Sequence, residues 1–168
     1  MRNFDGFYKG IDLGGWISQC GKNYNDEHYS TFITEKDIEK IASMGLDHVR
    51  MPVDYNVIQT EDGKLIESGM AYIENCVNWC KKHGLNIVID LHKTCGYIFD
   101  DPTYCGFFAN EKLQDQFVYL WQEIAKRYGN DEHIAFELLN EITSADFTEP
   151  WNKIASRTVK EIRKIAPD

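Results

Sequence analysis

The 168-residue chain lacks three features that would assign it to a particular class of protein. It has no apolar run approaching the roughly 20 residues of a membrane span, and its start lacks the apolar core of a signal peptide. It also lacks an excess of positive charge, because 27 acidic residues against 18 basic ones leave a formal charge of -9. These absences argue against nucleic acid or a membrane as a partner and favour a neutral or cationic ligand. The localisation that fits is cytoplasmic, or secreted with the signal peptide removed.

The five cysteines show no repeated metal-ligand spacing and no partnering group of histidines. Cys76 and Cys80 share one side of a predicted helix, so we expect both to face the core as small apolar side chains. Cys95 and Cys105 flank a loop rich in Gly, Pro and Asp, where a disulfide is geometrically possible but free thiols are expected without a visible export signal. The sequence therefore predicts no metal site, and it leaves the state of Cys95 and Cys105 open.

Hydrophobic periodicity predicts an α/β unit in which strands and helices alternate. The chain is shorter than the roughly 250 residues of a complete eight-stranded α/β barrel, so it is one domain or part of one. Apolar segments predict strands over residues 10–17, 46–51, 86–91 and 133–139, and helical patterns fill residues 34–43, 68–83, 111–128 and 151–165. Strands separated by such helices pair in parallel through right-handed crossovers.

Helix boundaries are marked by capping residues. Thr34 is followed three residues later by Asp37, which is typical of a capping box. Gly45, Gly84 and Gly129 stand where three of the predicted helices end.

Candidate site residues stand where the apolar strands end, because ligands of parallel α/β sheets bind beyond the carboxyl ends of the strands. These residues are Trp16, Arg50, His92, Asn140 and Glu141. An acid held at the end of a strand, beside an amide that can bind a sugar hydroxyl, is typical of the proton donor of a glycoside hydrolase. Such chemistry normally needs a second carboxylate from another strand, and no obvious one follows Glu141.

Side-chain alternation predicts a polar layer under this site. Asp90 and His92 share one face of the third strand, as Glu137 and Glu141 share one face of the fourth. Buried charges persist only when they are paired. We therefore expect a hydrogen-bonded layer beneath Glu141, formed by Arg50, Asp90, His92 and Glu137.

Four ordered motifs resemble those of glycoside hydrolase family 5, most of all its clostridial-type endoglucanases. They are residues 10–16 (GIDLGGW), 48–52 (HVRMP), 89–92 (IDLH) and 136–141 (FELLNE). The resemblance implies a (β/α)8 TIM-barrel parent that hydrolyses β-1,4-linked glucans with retention of configuration. It also implies roles for four residues: Glu141 as acid/base, Asn140 on the sugar 2-hydroxyl, His92 on the central subsite, and Arg50 in orienting the nucleophile.

The resemblance covers only the amino-terminal part of such a barrel. Family members take their nucleophilic Glu from the seventh strand, whereas this chain stops about where a fifth strand would begin. The fold it implies is a (β/α)4 half of a TIM barrel with parallel strands, spanning residues 1–168 as a single unit. The alternative fold is a rearranged, open, doubly wound sheet. Without the nucleophile strand we expect little hydrolytic activity from the chain alone, and the carboxylate-only chemistry implies no metal or cofactor.

Two other functions stay open. A non-catalytic half barrel could bind β-glucan or cello-oligosaccharides through Trp16, Asn140 and His92, with the Trp16 ring stacked on a pyranose. A self-assembling scaffold could form because a half barrel leaves its edge strands unpaired and its interior, expected to be apolar, uncovered. The expected partners are therefore a second copy of the chain or a complementary carboxyl-terminal half.

Overall fold

The computed structural model describes residues 5–101 and 103–167. The strands are β1 Gly10–Asp12, β2 His48–Asp54, β3 Asn86–Lys93 and β4 Ile134–Glu137. The α-helices are α1 Asp26–Thr31, α2 Glu35–Ser43, α3 Tyr55–Ile58, α4 Glu67–His83, α5 Glu111–Tyr128 and α6 Thr148–Ile165. Short 3-10 turns cover Gly106–Ala109 and Ala145–Phe147. No helix within the described ranges is both long and apolar enough to cross a membrane.

The four strands form one parallel sheet whose spatial order, β1-β2-β3-β4, follows the order of the chain. A doubly wound sheet reverses its strand order at a switch point. The alternative of an open doubly wound sheet is therefore wrong, and the predicted (β/α)4 half-barrel arrangement is confirmed.

One face of the sheet carries the hydrophobic core. Val49 and Met51 of β2 and Ile87 and Ile89 of β3 are each at most 1% exposed. They belong to one core cluster with helical residues, which include Ile73, Phe117 and Trp121. Because side chains alternate along a strand, the residues between them point to the opposite, inner face.

The inner face is polar, and the expectation of an apolar interior is wrong. By register and alternation its polar members are Asp12, His48, Arg50, Asn86, Asp90, His92 and Glu137. None of the large exposed hydrophobic side chains among the described residues lies on this face. The physical reason is that these groups are paired: Arg50 links the acids Asp12, Asp90 and Glu137, and Asp90 also contacts His92. His48 and Asn86 pair with residues outside the face, namely Asp47 and Gly6. The face therefore needs no apolar cover.

The strand boundaries differ from the predicted ones in a way that changes the position of Arg50. Strand β1 has only three residues, and Ile17 returns to the sheet as an isolated bridge to Val53. Strand β2 continues to Asp54, so Arg50 lies within the strand rather than at its end. Its side chain therefore projects from the inner face of the sheet, below the ends of the strands. Helices α1 and α3 were not predicted, because each is too short to show a clear helical period.

Two of the predicted helix boundaries have the expected chemistry. The backbone N–H and hydroxyl of Thr34 both donate to the Asp37 carboxylate at 2.8 Å. Gly84 ends α4 with φ of 72°, a left-handed conformation that glycine adopts readily.

Candidate active site

Arg50 is the centre of the predicted polar layer. Its Nε and Nη2 donate to the two carboxylate oxygens of Glu137 at 2.7 and 2.8 Å, a bidentate pairing. Nη2 also lies 2.8 Å from Asp90 Oδ2 and 3.0 Å from Asn140 Oδ1. Nη1 lies 3.0 Å from Asp12 Oδ1. One guanidinium thus links strands β1, β3 and β4 to the Asn140 amide.

This layer places three carboxylates around one guanidinium. Burial raises the pKa of Asp90, and Glu137 raises it further, while His92 and Arg50 oppose that rise. Hydrogen bonding to Glu137 holds the pKa of Arg50 above its ordinary value. The cost of placing three carboxylates around one guanidinium therefore falls on Asp90, the most deeply buried of the three acids, whose charged form is disfavoured.

His92 is oriented by Asp90, as predicted for the layer. Its Nδ1 lies 2.8 Å from Asp90 Oδ2, and its ring meets Phe99 edge-on at 5.7 Å. A neutral imidazole in this arrangement carries its proton on Nδ1, because the carboxylate accepts there. The Nε2 of His92 is buried and has no hydrogen-bond partner among the described residues. Its capacity to accept one hydrogen bond is therefore unused within the described ranges.

Asn140 offers the complementary group. Its backbone N–H donates to Leu91 O at 3.1 Å, and its side-chain oxygen accepts from Arg50. The side-chain Nδ2 is buried and unpartnered within the described ranges. Because buried polar groups are normally hydrogen-bonded, Nδ2 of Asn140 and Nε2 of His92 form a donor and an acceptor suited to sugar hydroxyls.

Glu141 is exposed and follows this fixed amide. Its φ is 41°, so a non-glycine residue occupies the left-handed region. Its backbone carbonyl accepts a hydrogen bond of 2.6 Å from the Tyr97 hydroxyl. The acid therefore stands on a constrained turn just beyond β4.

Trp16 does not have the predicted role. Its side chain is fully buried, its ring stacks on Trp79 at 6.0 Å, and its indole N–H donates to Tyr29 O at 2.7 Å. A ring with both its surface and its N–H occupied cannot stack on a pyranose. The prediction that Trp16 binds substrate is wrong, because β1 ends early and the following loop turns this side chain into the core.

A second polar cluster, centred on Asp54, was missed. This carboxylate is fully buried and accepts from Ser18 Oγ at 2.8 Å and Gln19 N–H at 3.0 Å. It also contacts the Tyr24 hydroxyl and Lys93 Nζ. Burial, with the hydrogen bond to Asp54, raises the pKa of Tyr24 above its ordinary value. The cluster fixes the loop after β1 to the ends of β2 and β3.

Sequence alone contains a signal for one of the missed residues. Asp12 is aligned with Arg50 in the parallel register, so the inner-face argument that found Asp90 and Glu137 applies to it as well. No comparable pattern marks Asp54, because its partners come from a loop. Among the described residues, no group of three His, Cys, Asp or Glu side chains could hold a metal ion.

Comparisons with known proteins agree with this geometry. The sequence matches the cellulase family, glycosyl hydrolase family 5, over residues 12–168. It is 51% identical over 166 residues to cellodextrinase A of Ruminococcus flavefaciens, covering 97% of this chain and 48% of that protein. It is 50% identical to endoglucanase C of Acetivibrio thermocellus, covering 95% of this chain and 47% of the relative. The chain thus spans about half the length of these relatives.

A solved structure is also matched over about half of its own length. Thermotoga maritima Cel5A, crystallised in mutant form with cellobiose, superposes with a TM-score of 0.75 at 25% identity. The match covers 95% of this chain and 52% of that enzyme.

Proposed function

Because this chain belongs to glycosyl hydrolase family 5, as its motifs predicted, we propose that it carries the acid/base half of a retaining endo-β-glucanase site. Glu141 is the proposed acid/base, and the proposed substrates are β-1,4-linked glucans and cello-oligosaccharides. The observation that carries the proposal is the Arg50 contact that fixes Asn140 directly before Glu141, on the strand-end side of the polar layer.

The proposed mechanism is a double displacement by two carboxyl groups about 5 to 5.5 Å apart. The nucleophilic carboxylate attacks the anomeric carbon while Glu141 gives its proton to the leaving glycosidic oxygen. Glu141 then takes a proton from water, whose oxygen attacks the anomeric carbon and releases the sugar. The nucleophile would come from the part of the barrel that this chain does not contain, so we expect little turnover by the chain alone.

The polar layer is proposed to bind and orient the substrate. Asn140 Nδ2 donates to the sugar 2-hydroxyl, and His92 Nε2 accepts from a second hydroxyl. Asp90 supports this role of His92, because it keeps the imidazole proton on Nδ1. Arg50 would orient the incoming nucleophile, for which its position at the centre of the inner face is suited.

The catalytic proposal is tested by the release of reducing ends from soluble mixed-linkage β-glucan. The chain is compared with its Glu141→Gln variant, which keeps the size of the side chain and loses the titratable proton. We expect little or no release by either. Release that disappears in Glu141→Gln would support the role of Glu141 and contradict the proposal that the second carboxylate is missing.

A second candidate function is carbohydrate binding without turnover. The two unpartnered buried atoms, Asn140 Nδ2 and His92 Nε2, favour it, because they bind hydroxyls whether or not a nucleophile is present. Titration with cellotetraose tests this function. We expect Asn140→Ala to weaken binding by about tenfold, the equivalent of one or two hydrogen bonds. The matched control is Asn130→Ala, at an exposed position beyond α5, and equal affinities for the two variants would exclude the proposed site.

The partner we propose is a complementary carboxyl-terminal half, with self-association as the alternative. Within the described residues, β1 and β4 each pair with one neighbour, and Ile11 of β1 is 44% exposed. A two-fold closed pair of copies would place β3 at the seventh strand position, where its end offers His92 and no carboxylate. Only the complementary half would therefore supply a nucleophile. Sedimentation at several concentrations distinguishes a self-associating chain from one that stays monomeric.

A further inference from the structure

Glu141 has a backbone conformation that needs external support. Its φ of 41° lies in the left-handed region, which side chains other than glycine rarely adopt. Gln19 is the other non-glycine residue with positive φ among the described residues. Residues in such conformations persist only where surrounding contacts determine them, and they concentrate at functional sites.

The backbone before Glu141 is fixed by the sheet and the core. Leu138 O accepts from the Trp121 indole N–H at 3.1 Å, and Asn140 N–H donates to Leu91 O at 3.1 Å. These contacts end at Asn140. They determine where the strand stops and leave the conformation of the next residue to other groups.

Tyr97 supplies the contact that follows. Its hydroxyl donates to the Glu141 carbonyl at 2.6 Å and accepts from Thr143 N–H at 3.4 Å. One hydroxyl thus bridges the two ends of the turn that holds Glu141. Among the described residues, no other hydrogen bond reaches the backbone of Glu141.

The Tyr97 hydroxyl is itself held in place. The side chain is 3% exposed, and its ring meets Phe108 and Phe147 edge-on at 5.0 and 6.2 Å. Its backbone exchanges two hydrogen bonds with Thr94, at 2.9 and 3.2 Å, directly after the end of β3. Strand β3 therefore fixes the hydroxyl that fixes the turn after β4.

We propose that Tyr97 is a positioning residue that holds Glu141 in its left-handed conformation and so sets the direction of its carboxyl group. The proposal rests on the proposed function, in which that carboxyl group must meet a glycosidic oxygen. Tyr97 acts through the backbone of Glu141 and touches no reacting atom. Proton transfer needs close alignment, and a displacement of about 1 Å can lower a rate by about 100-fold.

The test compares Tyr97→Phe with Tyr55→Phe in the chain as it exists. Tyr97→Phe keeps the packed ring and removes only the hydroxyl. Tyr55→Phe also removes a half-buried hydroxyl, one that lies 3.5 Å from the Tyr104 hydroxyl and has no hydrogen bond to Glu141 within the described part of the chain. Urea midpoints show that both variants fold. Carbon chemical shifts of Glu141 report its backbone conformation, and hydrogen exchange at Thr143 reports the turn.

We expect left-handed shifts for Glu141 in the wild-type chain and in Tyr55→Phe, and a change towards averaged values in Tyr97→Phe. Exchange of the Thr143 amide should become about fivefold faster in Tyr97→Phe, the effect of one lost hydrogen bond. Cellotetraose affinity should stay within about twofold, because Asn140 keeps its own contacts. Unchanged Glu141 shifts in Tyr97→Phe would overturn the proposal.

Cellotetraose binding and reducing-end release distinguish a failure of this inference from a failure of the proposed function. A wild-type chain that fails to bind cellotetraose counts against the proposed function, while the Glu141 shifts still decide the role of Tyr97. In any preparation that releases reducing ends, Tyr97→Phe should lower kcat by about 10-fold or more with little change in KM. A change in KM alone, with kcat unchanged, would contradict positioning of the acid.

Discussion

Replacement of Arg50 by methionine removes the guanidinium at the centre of the inner-face layer and leaves Asp90 with His92 as its partner among the described residues. In the wild-type chain, Asp90 Oδ2 lies 2.8 Å from both Arg50 Nη2 and His92 Nδ1, and the Asp90 side chain is fully buried. Its Oδ1 has no hydrogen-bond partner among the described residues. After the substitution, a buried carboxylate and the Glu137 carboxylate repel each other without a guanidinium between them.

The size of the effect follows from burial. Breaking a buried ion pair by removing one partner costs about 3 to 5 kcal/mol. The Arg50 side chain is 26% exposed, so water can screen part of the charge, and we expect a loss of about 3 kcal/mol. That is a large part of the roughly 5 to 15 kcal/mol by which domains are stable.

Urea unfolding of Arg50→Met beside Arg127→Met measures this loss. Arg127 also makes a bidentate contact, to Glu67 at 2.7 and 2.9 Å, but on the exposed surface. The same substitution there should cost at most about 1 kcal/mol. Adding Asp90→Asn to Arg50→Met should recover part of the stability, because an amide leaves no unpaired charge. Equal losses for the two arginine variants would refute the assignment of the layer as a buried ion cluster.

Three further outcomes follow from the same structure. The pKa of Asp90 in the folded chain is raised above 3.8, so the folded chain holds this proton more tightly than the unfolded chain does. The stability that the protonated acid contributes is present below that value and is lost as pH rises through the folded pKa. Urea unfolding should therefore show the wild type losing stability relative to Asp90→Asn from about pH 4 upward. Thiol titration should find Cys95 and Cys105 reactive in the native chain and the three buried cysteines reactive only in urea, since all five are free. Gly69→Ala should cost about 2 kcal/mol or more in urea unfolding, because a Cβ there would lie 1.8 Å from Val57 O and force α4 away from α3.

Local spacing rules and strand alternation were enough to predict the helix cap and most of the polar layer from the sequence. The capping box at Thr34 needs only two residues at fixed spacing, and it formed as predicted. The contacts of Arg50 with Glu137 and of Asp90 with His92 followed from two rules: alternate residues share a face, and buried charges must pair. The same rules would have placed Asp12 in the layer.

Prediction failed where a side chain's direction depends on how a loop crosses the sheet. Trp16 follows a glycine pair, and an apolar run continuing to Ile17 is equally compatible with a strand end and with a return into the core. The cluster around Asp54 depends on a loop that brings Ser18 and Tyr24 over β2. The support of Glu141 by Tyr97 joins residues 44 positions apart, through a backbone conformation that no periodicity encodes.

The polar inner face determines which interactions can drive a half barrel to close. Burial of apolar surface drives most association, yet the face that barrel closure would cover is lined by paired charges such as those of Arg50 and Glu137. Covering that face would therefore contribute little hydrophobic free energy. In the proposed assembly the drive to close would come from the edges instead, since among the described residues β1 and β4 each pair with one strand only and Ile11 is exposed on the helix side of the sheet. A partner that pairs with both edges satisfies these groups without disturbing the layer under Glu141, so the proposed acid/base half can be fully formed before its nucleophile arrives.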